Sequence, residues 1–248
     1  MLKKRILIVS DNERVMRIFM DIIANKKLLK DGRLVEYVCS PRNTDLAGTK
    51  VGDHMIEAVN IKENYEEITK KYDLVISAHC KQLFPAQMTK NVTCINIHPG
   101  LNPFNRGWYP QVFSILNGLP LGATIHEIDE AIDHGAIIDQ LEVKVNPDDT
   151  SIRAYDKVIE AEKEIINRSI ESIFNDTYTT NLPGSEGNLN LKKDFDALCE
   201  INLTEMVTFQ QAIDRLRALT HGDYKNAYFY DEKTKQKIYV SIDLEISN

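Results

Sequence analysis

The chain of 248 residues has neither the long apolar segments of membrane proteins nor the net positive charge that is usual in nucleic-acid-binding proteins. No apolar run approaches the roughly 20 residues of a membrane-spanning helix. The apolar run behind the basic N-terminus, residues 6–9, is also too short for the core of a signal peptide. The formal net charge is −7, whereas nucleic-acid-binding proteins usually carry a basic surplus. We therefore expect a cytoplasmic protein with neither a membrane nor a nucleic acid as partner.

Glycine and cysteine are missing from the positions where they would indicate a dinucleotide or a metal. The first predicted strand, residues 5–9, leads into Ser10-Asp11-Asn12 without the GxGxxG pattern of NAD- and FAD-binding folds. The four cysteines are scattered along the chain: Cys39, Cys80, Cys94 and Cys199. Because no two of them form a Cys-x-x-Cys pair, the sequence indicates reduced thiols and no metal site.

Buried strands alternate with amphipathic helices in the first half of the chain. Short apolar runs at residues 5–9, 34–39, 73–78 and 92–97 predict strands that are buried on both faces. Apolar residues at helical spacing lie between them, for example at residues 15–23. This order predicts an α/β fold with a doubly wound, Rossmann-like sheet that is mixed but mostly parallel. Ligands of such sheets bind at the carboxyl ends of the strands.

The second half of the chain adds to the sheet and then forms an extension. The predicted elements are a helix at 108–117, strands at 121–126 and 137–145, a long helix from Asp149 or Thr150 to about Phe174, a loop at 175–193, a helix at 208–219, and a hairpin of 227–230 with 237–242. We expect a catalytic domain at residues 1–180 and a small helical and β-hairpin extension at residues 181–248. Because a lone hairpin is marginal in water, we expect it to dock on the body or to help form a homodimer.

Asn96, His98 and Asp133 bring an amide, an imidazole and a carboxylate into one span of the chain. Asn96 and His98 are two residues apart at the end of a predicted strand, so their side chains point to the same face. An amide and an imidazole can donate to a developing oxyanion. A carboxylate near the imidazole raises its pKa, which would keep His98 protonated as an acid at neutral pH. The trio indicates carbonyl or acyl chemistry; His126 fits either a packed strand position or this site.

The wider pattern resembles the 10-formyltetrahydrofolate-dependent formyltransferases, which act on glycinamide ribonucleotide, methionyl-tRNA or sugar nucleotides. The matching residues are Asn96-Ile97-His98-Pro99, Pro103, Arg106-Gly107, Gly118, Gly122-Ala123-Thr124-Ile125-His126 and Asp133-His134-Gly135. The resemblance implies a catalytic trio of Asn96, His98 and Asp133. It also implies that a neutral amine attacks the formyl carbon of 10-formyltetrahydrofolate, a cosubstrate used without a metal. The folate pocket that it implies comprises Lys81, Gln82, Leu83, Asp129, Glu130, Ala131 and Ile132.

The segment between the parts of this motif resembles the small enzymes that formylate dTDP-linked amino sugars, especially dTDP-4-amino-4,6-dideoxyglucose, for O-antigen or related surface polysaccharides. Asn102 replaces a usual leucine of the family and adds a donor at the cleft. Trp108 and Tyr109 offer flat faces for stacking, and Lys81 and Arg106 offer charges for a pyrophosphate. Further expected substrate-binding residues are Ser10, Asp11, Asn12, His79 and, on a lid or a static turn, Tyr224.

Three other functions stay open at the level of sequence. The acceptor could be another small amine, as in the glycinamide ribonucleotide enzymes, or it could be water, which would make the protein a formyl-folate hydrolase. The chain could also be a folate- or nucleotide-binding regulator that has lost catalysis. The presence of all three residues of the trio argues against such a loss.

Overall fold

A computed structural model describes residues 3–247. The helices are α1 (Glu13–Asn25), α2 (Ile61–Lys71), α3 (Ala86–Thr89), α4 (Pro110–Asn117), α5 (Ser151–Asn175), α6 (Lys192–Cys199) and α7 (Phe209–Leu219), with a 3-10 turn at Lys30–Gly32. The strands are β1 (Arg5–Ser10), β2 (Leu34–Cys39), β3 (Lys50–Val51), β4 (His54–Met55), β5 (Glu57–Ala58), β6 (Leu74–Ala78), β7 (Thr93–His98), β8 (Arg106–Gly107), β9 (Leu121–Glu127), β10 (Ile137–Val143), β11 (Leu189–Asn190), β12 (Thr220–His221), β13 (Tyr224–Lys225), β14 (Tyr228–Tyr230) and β15 (Lys237–Tyr239).

Seven strands form the central sheet in the order β10-β9-β7-β6-β1-β2-β5. The strands from β7 to β5 run parallel to one another, whereas β9 is antiparallel to β7 and β10 is antiparallel to β9. The predicted α/β class and the mixed, mostly parallel sheet are therefore confirmed. The parallel strands β1, β6 and β7 end side by side, so the polar residues that follow them meet at one edge.

The apolar runs of the parallel strands are continuous because helices cover both faces of the sheet. Ile6 and Ile8 of β1 pack into the larger core with α1 and α5. Leu7 and Val9 pack into a second core with residues of α2 and α3. These four apolar side chains of β1 are at most 1% exposed, as expected for a strand buried on both faces.

Asparagine caps fix where two helices begin. Asn12 accepts a hydrogen bond from the backbone of Val15 at the start of α1, and Asn60 accepts bonds from the first turn of α2. The cap at Asn12 follows directly from β1, so the turn between strand and helix stays short. No helix within residues 3–247 is both long and apolar enough to cross a membrane.

The structure differs from the sequence-based elements near the active-site edge and in the C-terminal part. The helix expected from residue 108 starts at Pro110, because Tyr109 takes a left-handed conformation with φ of 52°. The loop expected at 175–193 contains β11 and the first two residues of α6. Helix α6 has Phe195, Leu198 and Cys199 at helical spacing, a short pattern that the loop prediction overlooked. The C-terminal hairpin is confirmed as β14 and β15; the domain boundary near residue 180 remains a prediction.

Gly122 supports the pairing of β9 with β10, and we predict that Gly122→Ala destabilises the protein. A Cβ atom there would meet the backbone oxygen of Leu141 and would lie 2.9 Å from Cδ1 of Leu101. We expect the free energy of unfolding to fall by about 1–3 kcal/mol, as in other overpacked sites. Denaturant unfolding would measure it, with Gly184→Ala as the control because nothing lies within 4 Å of its Cβ position. Equal stability of the two variants would contradict the prediction.

Candidate active site

A cavity of about 730 Å³ opens at the carboxyl ends of β1, β6 and β7. Most of the side chains that the sequence predicted for the site line it: Asp11, Asn12, His79, Lys81, Gln82, Leu83, Asn96, His98, Trp108, Tyr109, Asp129, Glu130, Ala131, Ile132, Asp133 and Tyr224. Strand ends supply the residues up to His98, and loops or short elements supply the others. The size is that of an ordinary small-molecule site.

The carboxylate of Asp133 is the meeting point of the trio. Its Oδ1 accepts from the amide nitrogen of Asn96 at 2.9 Å, and its Oδ2 accepts from the backbone nitrogen of Gly107 at 3.0 Å. Its Oδ2 also lies 3.4 Å from Nδ1 of His98. Burial acts to raise the pKa of Asp133, but the neighbouring His98, His126 and Gly107 groups outweigh it and hold that pKa below its usual range. Asp133 is therefore ionised at neutral pH.

The surroundings of His98 favour its neutral form, which opposes the expected effect of Asp133. The imidazole is only 3% exposed, and burial lowers its pKa from 6.5 to about 4 although Asp133 acts in the opposite direction. Nδ1 of His98 faces Oδ2 of Asp133 at 3.4 Å, so a hydrogen on Nδ1 would meet an oxygen that only accepts. Nε2 has no hydrogen-bond partner within residues 3–247. A neutral imidazole with an unpartnered Nε2 is able to accept a proton.

Asn96 uses its amide hydrogens inside the protein. Its Nδ2 contacts both Oδ1 of Asp133, at 2.9 Å, and Nε2 of His126, at 3.2 Å. The expected donation from Asn96 to an oxyanion stays a prediction. His126, which the sequence left undecided, belongs to the site because it holds Asn96 and lines the cavity.

Gly100 leaves the space that the imidazole of His98 occupies. A Cβ atom at Gly100 would lie 2.5 Å from Nε2 of His98 and 3.0 Å from Cγ of Pro110. A side chain at residue 100 would displace the imidazole, so this position requires glycine for His98 to keep its present orientation.

Three predicted substrate-binding residues do not line the cavity. Asn102 is 3% exposed, and its amide nitrogen donates to the backbone oxygen of Asp133 at 2.8 Å. Arg106 is 5% exposed and binds the backbone oxygen of Ile132 and the carboxylate of Glu186. Asn102 and Arg106 thus hold the loop that carries Asp133, because each bonds to its backbone. Ser10 is fully buried and donates to the backbone oxygen of Asn12 at 3.1 Å.

A second histidine–carboxylate pair lies at the end of β6, the strand next to β7 in the sheet. Nε2 of His79 lies 2.8 and 3.0 Å from the two carboxylate oxygens of Glu162, whose side chain is fully buried in α5. The hydroxyl of Tyr155 lies 3.1 Å from Nδ1 of His79 and accepts from the amide of Asn12 at 2.8 Å. Sequence reasoning missed Glu162 and Tyr155. The signal for Glu162 was its place on the apolar face of the long helix, between Ile159 and Ile166.

Comparisons with known proteins agree with this geometry. Residues 52–170 match the family model described as formyl transferase, and residues 194–246 match the model described as N-formyltransferase dimerization C-terminal domain. The dTDP-4-amino-4,6-dideoxyglucose formyltransferase of Mycobacterium tuberculosis is 47% identical over 186 residues, which cover 75% of this chain and 79% of the relative. The chain belongs to the formyl transferase family. It is therefore an enzyme that transfers formyl groups.

Solved structures place this formyl transferase beside sugar N-formyltransferases. A 4-N formyltransferase from Francisella tularensis matches with a TM-score of 0.92 and 46% identity, over 98% of this chain and 99% of the other. A sugar N-formyltransferase from Shewanella sp FDAARGOS_354 matches with a TM-score of 0.91 and 38% identity, over 99% of both chains. Both likenesses extend through the C-terminal part of the chain.

The side of the formyl transferase cavity predicted for folate offers apolar side chains among charged ones. Leu83 is 76% exposed and Ile132 is 38% exposed, which leaves apolar surface for a flat ring. The side chain of Gln82 is already used, since it bonds to the backbone of Val59 and Ile61. Within residues 3–247, no group of three or more His, Cys, Asp or Glu side chains could hold a metal ion.

We predict that the stability of the enzyme falls as the pH falls from about 6.5 toward 4. In this window the unfolded chain binds a proton at His98 that the folded chain excludes, so protonation favours unfolding. The full effect of this one group is about 3 kcal/mol. Chemical unfolding at several pH values would show a shallower dependence in His98→Gln than in the wild type. His54→Gln, at an exposed site, is the matched control, and an unchanged slope in His98→Gln would contradict the assigned burial effect.

Proposed function

We propose that this enzyme transfers the formyl group of 10-formyltetrahydrofolate to the amine of a dTDP-linked amino-dideoxy sugar. The expected acceptor is dTDP-4-amino-4,6-dideoxyglucose, the sugar nucleotide in the name of the Mycobacterium relative. The observation that carries the proposal is one cavity that is lined by His98, by apolar side chains such as Leu83 and by the aromatic side chains of Trp108 and Tyr109. A donor and an acceptor could therefore share the cavity with the imidazole.

The apolar rim suits the folate. Leu83 and Ile132 expose apolar surface and line the cavity, as do residues 128–131. A pterin ring has flat faces that pack on such side chains and an edge that bonds to backbone groups. These features support the assignment of residues 81–83 and 129–132 to the cosubstrate.

The aromatic residues of the cavity suit a nucleotide sugar. Trp108 and Tyr109 lie 5.5 Å apart between ring centroids and offer aromatic faces for a base or a sugar. Tyr224 is 73% exposed and packs its ring against His221, at 5.8 Å, above the wall that holds Asn12 and His79. Lys81 is exposed at the same edge, where its ammonium group can meet a diphosphate.

The mechanism that this geometry supports begins with His98 as a base. The lone pair of a neutral amine attacks the formyl carbon, and the amine proton passes to Nε2 of His98. The ionised Asp133 then stabilises the imidazolium through Nδ1. The imidazolium returns the proton as the bond from the formyl carbon to the folate nitrogen breaks. One carbon–nitrogen bond forms and one breaks, and the amine proton ends on tetrahydrofolate.

We place this reaction in the cytoplasm, in the synthesis of O-antigen or a related surface polysaccharide. The four cysteines are unpaired, which fits a reducing compartment. The product would be an N-formylated sugar nucleotide, and sugar nucleotides are the donor substrates of glycosyltransferases.

We predict that purified enzyme releases tetrahydrofolate from 10-formyltetrahydrofolate only when a dTDP-amino sugar is present. His98→Ala should lower kcat by about 100-fold or more, because the base for the amine proton is lost. His54→Ala, outside the cavity, is the matched control and should turn over normally. Absorbance of the released folate and mass spectrometry of the sugar nucleotide would measure both.

Each other outcome of this assay points to a different function. Release with another amine, such as glycinamide ribonucleotide, would identify a different acceptor. Release without any amine would identify a hydrolase, and folate binding without release would identify a regulator. Near-normal turnover by His98→Ala would contradict the role of the imidazole.

We also propose that two copies of the chain form a homodimer through the C-terminal part. Apolar side chains between residues 203 and 213 are exposed to solvent in the single chain, and Met206 and Phe209 are 95% and 90% exposed. An exposed apolar patch of this kind marks an interaction surface. The match of residues 194–246 to a dimerization domain supports a second copy of the chain as the occupant.

We predict that Phe209→Glu weakens the dimer, because the charge would be buried without a partner. Analytical ultracentrifugation should show a dimer for the wild type and a shift toward monomer for the variant at the same concentration. Leu182→Glu is the matched control, since Leu182 is 83% exposed but lies outside residues 194–246. A wild-type monomer, or an unaltered dimer in Phe209→Glu, would contradict the proposed interface.

A further inference from the structure

The segment of residues 181–190 contacts the folate-side loop, which we define as residues 129–134. The segment is held by its backbone at both ends, where Asn181 pairs with the start of β10 and β11 pairs with β8. Among residues 182–187, by contrast, Glu186 alone makes a hydrogen bond or an ion pair with the rest of the described chain. The polar contacts of one side chain therefore join the middle of this segment to the loop.

Glu186 uses one carboxylate oxygen for each of two partners. Its Oε1 accepts from Nη2 of Arg106 at 2.8 Å, and its Oε2 lies 3.4 Å from Nε2 of His134. The Arg106 side chain is only 7% exposed, and within residues 3–247 Glu186 is the only carboxylate that pairs with it. Because a buried guanidinium without a counter-charge is unfavourable, Arg106 holds the Glu186 carboxylate although that group is itself 75% exposed.

Both partners of Glu186 bond to the folate-side loop. Nη1 of Arg106 donates to the backbone oxygen of Ile132 at 3.1 Å. Nδ1 of His134 lies 2.8 Å from Oδ2 of Asp129, which in turn accepts from the backbone of the loop through its other oxygen. Through these two side chains Glu186 is connected to both ends of the run that lines the cavity.

We propose that Glu186 is a positioning residue that holds the folate-side loop in the shape that binds the formyl donor. The inference rests on the proposed function, which assigns residues 129–132 to folate. Glu186 and His134 do not line the cavity, so they act on the ligand through the loop. Without the Glu186 carboxylate the loop can adopt more conformations, and the binding of folate then has to order it at a cost in affinity.

His134 makes this connection sensitive to pH. Both of its ring nitrogens face carboxylates, and only the protonated ring can donate to both. The hydrogen bond with Asp129 and the charges of Asp129 and Glu186 raise the pKa of His134, against the effects of burial and of the charge of Arg106. The second of the two bonds is therefore present below this raised pKa and is lost as the pH rises through it.

The test is to measure the Kd for 5-formyltetrahydrofolate, a stable isomer of the donor, by calorimetry at neutral pH. The variants are Glu186→Gln, which keeps the size of the side chain and removes its charge, His134→Gln and the double variant. We expect each single variant to bind about three- to tenfold more weakly than the wild type, a modest loss because Glu186 is mostly exposed. The two losses should not add in the double variant, since both residues act through one connection.

Three comparisons separate the positioning of the loop from general damage to the fold. Glu13→Gln removes a carboxylate that lies 2.6 Å from Arg17, outside the cavity, and should keep the wild-type Kd for folate. The Kd for dTDP should stay unchanged in Glu186→Gln, because a loosened fold would weaken the binding of both ligands. The advantage of the wild type over His134→Gln should be smaller at a pH of about 8.5 than at a pH of about 6.

A Glu186→Gln variant that binds the folate as tightly as the wild type would overturn the inference. So would equal losses of affinity for folate and for dTDP, or losses that add in the double variant. An advantage over His134→Gln that is the same at both pH values would contradict the connection through His134. A wild-type enzyme that binds dTDP but not the folate would overturn the proposed donor, and this inference with it.

Discussion

The buried negative charge of Asp133 is the constraint around which the site is organised. A carboxylate removed from water must be met by N–H groups, and here these come from Asn96 and His98 of β7 and from the backbone of β8. Asn102 and Arg106 hold the backbone of the same loop, so the charge cannot turn away from them. Asp133 thus engages one nitrogen of Asn96 and Nδ1 of His98, and the other ring nitrogen of His98, Nε2, is left without a partner within residues 3–247.

The protonation state of His98 follows from the charges that surround it. Burial, the imidazoles of His126 and His79 and the guanidinium of Arg106 all disfavour a positive charge there, and Asp133 alone favours it. His79 has its own carboxylate in Glu162, so the two histidine–carboxylate pairs lie at the ends of the neighbouring strands β6 and β7. Both histidines line the cavity.

The parts of the fold and the site that could be predicted from the sequence are those with a local signal. Continuous apolar runs predicted the strands of the sheet, and the Asn96-x-His98 spacing with Asp133 predicted the trio. The neutral state of His98 could not be predicted, because burial by distant segments decides it. The side chains of Asn102 and Arg106 are buried because they bond to the backbone of residues 132 and 133, which lie more than 25 residues further along the chain. The pairing of β8 with β11 is only two residues long, which is too short to give a pattern in the sequence.

The pairing of β8 with β11 ties the late part of the chain to the catalytic loop. The backbone of Arg106 and Trp108 donates to Asn188 and Asn190, and a Cβ atom on Gly107 would strike the backbone of Asn190. The two halves of the chain are therefore not interchangeable modules. A hybrid enzyme that joins this catalytic half to another C-terminal half must bring residues 187–191 with it, or the strand that carries the Gly107 nitrogen to Asp133 loses its support.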